Sequence, residues 1–109
     1  MPSAAVAENR IFQALADPSR RAILESLMRG EAAVNTLTAR FDISQSAVSQ
    51  HLATLKAAGL VNNRREGRSV YYRVRPRGMK PLIDWIAHYR VFWTEHVERL
   101  ERLLEKMDG

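Results

Sequence analysis

The chain of 109 residues contains no cysteine. Disulfides, thiolate metal sites, iron–sulfur clusters and a thiol nucleophile are therefore all excluded for it, and the expected setting is intracellular. No apolar run approaches the roughly 20 residues that span a bilayer, and residues 1–10 lack the basic-then-apolar order of a secretory signal. The expected location is cytoplasmic, with no membrane partner. Glycine and proline are sparse, at five and four residues, which rules out collagen-like or low-complexity organisation. No Gly-rich phosphate loop is present and no serine, histidine and acid fall together by local spacing, so an enzyme is not expected.

What is present is an ordinary globular composition, 46% hydrophobic and 27% charged, in a length that holds one hydrophobic core. A single domain over 1–109 is expected. The charge is less ordinary, a formal +5, and it is unevenly placed. Residues 1–59 carry six basic and five acidic side chains, and residues 81–109 carry four and six. Between them Arg64, Arg65, Arg68, Arg73, Arg75, Arg77 and Lys80 face Glu66 alone, a local +6. Such a segment is either a solvated basic loop or a surface for a phosphate backbone, and its neighbours decide which.

Before it the pattern is helical. Ile11, Phe12 and Leu15 suggest a short amphipathic helix. Asp17-Pro18 is a strong helix start, because aspartate accepts from free N–H groups and proline at the first position gives up a donor that would be unpaired anyway. The helix it opens runs to about Arg29 and stops at Gly30, with Ala22, Ile23, Leu27 and Met28 on its apolar face. Asn35 can cap a two-turn helix carrying Leu37 and Phe41, ended by a turn at Asp42-Ile43.

Ser44 then caps the most informative element. Val48, Leu52 and Leu55 form one apolar stripe, and Gly59 stands where a left-handed cap is expected. The other face holds Gln45, Ser46, Ser49, Gln50 and His51, with Lys56 further along. It is rich in hydrogen-bonding groups and poor in charge, whereas a merely solvated face usually carries Glu, Lys and Arg. Glutamine can bond adenine bidentately, serine can serve either partner, and small side chains let a helix sit close in the major groove.

After Gly59 the period becomes alternating. Residues 60–65 and 69–74 are β-rich runs separated by Glu66-Gly67-Arg68, which reads as a hairpin with Arg65 and Arg68 flanking its tip. A lone hairpin is marginal in water, so it must pack on the helices, leaving its tip to contact phosphates beside the reading helix. Helix–turn–helix followed by a basic hairpin is a winged helix. The expected fold is mainly α with a small β-hairpin: a helix–turn–helix core over 17–58, a wing over 60–75, and pairing helices over 1–16 and 79–109.

Three stretches, Ala14-Leu-Ala-Asp-Pro-Ser-Arg-Arg-Ala-Ile-Leu24, Ile43-Ser-Gln-Ser-Ala-Val-Ser-Gln-His-Leu52 with Leu55-Lys-Ala-Ala-Gly-Leu-Val61, and Arg64-Arg-Glu-Gly-Arg-Ser-Val-Tyr-Tyr-Arg73, resemble the ArsR/SmtB family of bacterial winged-helix repressors. The resemblance spans about residues 8–75. It implies a homodimer on an inverted-repeat DNA operator, repression of a nearby operon, and release by a signal, for which an unidentified small-molecule inducer is a candidate. The implied DNA contacts are Ser44, Gln45, Ser46, Ser49, Gln50, His51 and Lys56 on the reading helix and Arg64, Arg65, Arg68 and Tyr71 on the wing.

Metal sensing in that family uses ligands this chain does not reproduce. The thiolate pair would fall on Ala33-Val34-Asn35-Thr36-Leu37, which holds no sulfur. The zinc pattern on the last helix, Asp-x-His with His-x-x-Glu, meets Asp84 and His88 four apart, then His96 with Arg99 three on. A cation stands where a carboxylate is required. No metal and no cofactor is expected, and a metal-responsive repressor using histidine and carboxylate ligands stays as the alternative.

From Met79 the chain is helical again. Met79, Leu82, Ile86, Tyr89, Trp93, His96, Leu100, Leu103 and Met107 recur in steps of three and four, a heptad seam. Ile83, Val97 and Leu104, with Phe92 beside them, add a second stripe. A helix this long outreaches a small domain, so pairing with a second copy is expected, through Ile86, Tyr89, Trp93, His96, Leu100 and Leu103 together with Ile11 and Leu15 of the first helix. The aromatic residues Trp85, Tyr89, Phe92 and Trp93 are core residues or the lining of an inducer pocket. A degenerate winged helix that captures another protein through this seam is the third reading.

Overall fold

A computed structural model of the chain describes residues 4–108. The first three residues of the 1–16 segment lie outside them. Five helices and three short strands follow one another: α1 (Ala4–Leu15), α2 (Pro18–Met28), β1 (Ala32–Ala33), α3 (Val34–Phe41), α4 (Gln45–Ala57), β2 (Val61–Glu66), β3 (Ser69–Val74) and α5 (Pro76–Asp108). The sheet is antiparallel in the order β1-β3-β2. This is a winged helix-turn-helix with a long last helix, as its local signals predict.

The segment 13–21 shows how side chains close two helix ends at once. The Asp17 carboxylate accepts from the Arg20 backbone N–H at 3.1 Å, and that bond holds its pKa below the ordinary aspartate value. Pro18 occupies the first turn. Arg20 and Arg21 turn back: Arg20 Nε donates to the Ala14 carbonyl at 2.6 Å and Arg21 donates to the Leu15 carbonyl at 2.6 Å. Cations on the last carbonyls of α1 complement its dipole, and both arginines are thereby used inside the fold.

The core gathers Ile11, Ala14, Ile23, Leu24, Leu27, Ala32, Leu37, Val48, Leu52, Leu55, Leu60 and Val61. Val48, Leu52 and Leu55 are each 0% exposed, which fixes the buried face of α4 and so the outward direction of its polar face. The apolar face of α2 is turned from the expected one: Leu24 is buried while Met28 is 55% exposed. Ile11, expected at a subunit contact, is in this core at 1% exposure and cannot meet a partner, whereas Leu15 is half-buried against it.

Two further local expectations are corrected, and one strand had no sequence signal. Helix α3 begins one residue before Asn35, with Ala33 in the capping position and no side-chain cap, so Asn35 lies in the first turn. Strand β1 is two alanines with no β signature of their own; it exists because it pairs with Tyr71 and Tyr72 of β3. Helix α5 starts at Pro76 rather than Met79 and carries Pro81 within it. Its 33 residues extend about 50 Å, most of the 60 Å long axis of the molecule.

Candidate nucleic-acid interface

Helix α4 is set by its two ends. Ser44 Oγ accepts from the Ala47 N–H at 3.0 Å, and at the far end Gly59 takes φ +80°, where the Leu60 N–H donates to the Leu55 carbonyl at 3.0 Å. With its apolar stripe locked in the core, Ser44, Gln45, Ser46, Ser49 and Gln50 are all exposed on one face of the first turns. None of these five side chains is charged, so nothing there repels a phosphate or demands a counter-charge.

The hairpin stands beside that face. Glu66 pairs with Ser69, leaving Gly67 and Arg68 as the turn, with Gly67 at φ +62°. A cleft of about 270 Å³ separates wing from reading helix, and Asn35, Gln45, Ser49, Arg68, Ser69 and Tyr72 line it. Asn35 is thus a polar group of the same surface that spacing had assigned to a helix cap.

Strand alternation sorts the basic residues. Arg65 lies opposite Val70 and Asn63 opposite Tyr72, on the face that looks toward α4, where Lys56 Nζ donates to Asn63 Oδ1 at 3.1 Å. Arg64 lies opposite Tyr71 on the other face. There it donates to Glu31 at 2.6 and 3.1 Å and to Glu66 at 2.9 Å, with its guanidinium 4.8 Å from the centre of the Tyr71 ring. These bonds raise its pKa further and pull Glu31 below the ordinary glutamate value. Arg64 and Tyr71, expected to touch DNA, are therefore engaged in holding the wing to the segment before β1, and Lys56 ties α4 to β2.

Lys80 is likewise paired, with Asp84 at 2.8 Å. The cations of residues 60–80 that make no ion pair among the described residues are Arg65, Arg68, Arg73, Arg75 and Arg77, and all of them are exposed. His51 also departs from expectation. Its Nδ1 is buried with no hydrogen-bond partner among the described residues, which turns the ring inward rather than onto the outer face.

The expected pairing residues of α5 behave differently from the core. Met79 and Leu82 pack on it, and Trp85 meets Phe12 edge-on at 5.3 Å, attaching α5 to α1. Beyond them Ile86, Tyr89, Trp93, Leu100 and Leu103 are 38–53% exposed, and His96 is exposed with them. Among the described residues no group of three histidines or carboxylates is gathered as a metal would need, and Arg99 keeps the last-helix zinc pattern incomplete. No helix among them is long and apolar enough to cross a membrane.

Comparison with known proteins agrees with this geometry. Residues 17–63 match the model described as "Bacterial regulatory protein, arsR family". The "HTH-type transcriptional regulator Rv2034" of Mycobacterium tuberculosis is 39% identical over 89% of this chain and 88% of its own length. The "Transcriptional repressor SdpR" of Bacillus subtilis is 32% identical over 74% of this chain and 90% of its own. Among solved structures, one titled as an ArsR family transcriptional regulator aligns with TM-score 0.73 at 32% identity, covering 86% of this chain and 97% of that one. HlyU from Vibrio cholerae aligns with TM-score 0.68 at 35% identity, covering 84% and 98%. A capped, uncharged reading helix beside a basic hairpin, in a chain with these relatives, is a DNA-binding device and not an enzyme, and the protein belongs to the ArsR/SmtB family of transcriptional regulators.

Proposed function

We propose that two copies of this chain pair through the outer face of α5 and bind an inverted-repeat operator, repressing a nearby operon until a signal releases them. The observation that carries this reading is the row of half-exposed apolar side chains on α5, continuing far past the last contact with its own core. Burying such a row against its copy removes apolar surface from water at about 25 cal/mol per Å², and a two-fold axis places two reading helices side by side. Successive major grooves on one face of DNA lie about 34 Å apart.

In each copy Gln45, Ser46, Ser49 and Gln50 read base edges, while Arg65 and Arg68 hold phosphates on the wing side. Asn35 completes the cleft between them. The signal is not a thiolate-bound metal, because the chain has no cysteine; a small-molecule inducer fits the same reading. Sedimentation equilibrium with nuclease footprinting tests it. A dimer protecting two half-sites is expected, and a monomer protecting one would overturn it.

A further inference from the structure

Helix α5 meets helix α4 backbone to backbone. Gly78, in the first turn of α5, is buried against the turn that ends α4. A Cβ built at Gly78 would stand 1.6 Å from the Gly59 carbonyl oxygen, 2.7 Å from its carbon and 3.4 Å from the Leu60 nitrogen. The atoms in the way are main chain of a capped turn, held by the Gly59 and Leu60 N–H groups donating to the Lys56 and Leu55 carbonyls, so no rotamer change relieves the clash. The joint is closed by the Arg75 N–H donating to the Leu60 carbonyl at 2.8 Å. Glycine inside a helix costs about 1 kcal/mol relative to alanine. Here that glycine permits the close approach of the two main chains.

We propose that the Gly78–Gly59 contact sets the half-site spacing this protein accepts, making Gly78 a specificity-determining positioning residue although it lies off the DNA-reading face. The inference rests on the pairing proposed above. Under it, α5 carries the two-fold axis and α4 carries the reading groups, and this contact is where the two helices join. A methyl group at Gly78 requires about 1.4 Å of extra separation from the Gly59 carbonyl oxygen to reach the 3.0 Å below which Cβ contacts essentially never occur. With α5 pinned at Trp85 on Phe12, about 10 Å along the helix, the shift becomes a tilt of roughly 8°. At about 1.4 Å for each joint, two copies shift by up to about 2.8 Å relative to one another, close to the 3.4 Å or so of one base step.

The test uses the operator recovered by genomic mapping, rebuilt with its half-sites moved apart or together by one and two base pairs. The wild-type chain is expected to lose about tenfold or more in affinity at the two-base-pair changes, the scale of a misread position. Gly78→Ala is expected to move the preferred spacer by about one base pair while its dimer mass and its affinity for a single half-site stay unchanged. Arg75→Pro, which removes the N–H at the joint next to a residue already in extended strand conformation, is expected to broaden the spacer profile, and it decides the matter if Gly78→Ala does not fold. A flat wild-type profile, a folded Gly78→Ala with the wild-type optimum, or an Arg75→Pro profile as narrow as the wild type's overturns the inference. A wild-type chain that binds one half-site as a monomer overturns the pairing itself, and this inference with it.

Discussion

Arg64 and Glu31 form a two-pronged ion pair, Nε to Oε2 at 3.1 Å and Nη2 to Oε1 at 2.6 Å, that fastens the wing strand β2 to the residue in front of β1. The pair stands 33 residues apart in sequence, and it is assembled only when β1 adds to the free edge of β3. Its consequence is a wing with a fixed base and a free tip, since Arg65 and Arg68 make no ion pair among the described residues.

Glu31→Gln is expected to loosen the wing without touching the reading helix. Because the Arg64 hydrogen bond lowers the folded pKa of Glu31 below its ordinary 4.5, the stability it contributes is fully present above that value and is lost as pH falls through the lowered one. Asp17 follows the same sign from its ordinary 3.8. Thermal melts of wild type and Glu31→Gln taken from about pH 6 down to about pH 3 should therefore converge toward acid. A constant gap between the two would show that the pair does not titrate as placed.

Arg65→Ala and Arg68→Ala are expected to weaken binding to all DNA sequences alike. Removing one cation from a phosphate should flatten the slope of log K against log salt by about 1. Fluorescence anisotropy at several salt concentrations measures this, and an unchanged slope would remove these side chains from the phosphate surface.

Gln45→Ala, Ser49→Ala and Gln50→Ala should act the other way, lowering discrimination between operator and unrelated DNA by about 1–3 kcal/mol where a bidentate pairing with a base is removed. Nonspecific affinity should barely change. Competition titration separates the two, and equal losses on both DNAs would mean that these groups do not read bases.

Leu100→Asp puts a charge on a side chain that is 51% exposed in the single chain. The fold of one copy is expected to survive while the paired form dissociates, because an unpaired carboxylate in an apolar interface is costly. Sedimentation should show a monomer with wild-type circular dichroism.

Ser44→Ala removes the acceptor for the Ala47 N–H, a bond of 3.0 Å at the start of the reading helix. A loss of about 1 kcal/mol is expected, a fall in melting temperature of about 5 °C for a domain of this size. A melt identical to wild type would show that water caps this helix equally well.

Much of this molecule was legible as local chemistry. Asp17-Pro18, Ser44 and Gly59 state where helices begin and end because each satisfies or frees a backbone group within a few residues of itself. Val48, Leu52 and Leu55 state which face of α4 is buried, and hence which polar groups look outward, because helical period and burial are the same fact. The hairpin was legible for the same reason, with glycine at the one turn position whose φ is positive.

Other features were decided by partners far along the chain. Two alanines become a strand because β3 offers them an edge, and Leu24 rather than Met28 is buried because α2 rotates to fit a core it cannot see in its own sequence. Arg64 and Arg65 are neighbours of identical chemistry, yet strand alternation sends one to Glu31 and leaves the other on the side of α4. Composition alone could count the charges of residues 60–80. Which of them are engaged in holding the fold and which remain for a phosphate backbone depends on distances across the sheet, and a distance between residues 31 and 64 exists only once the chain has folded.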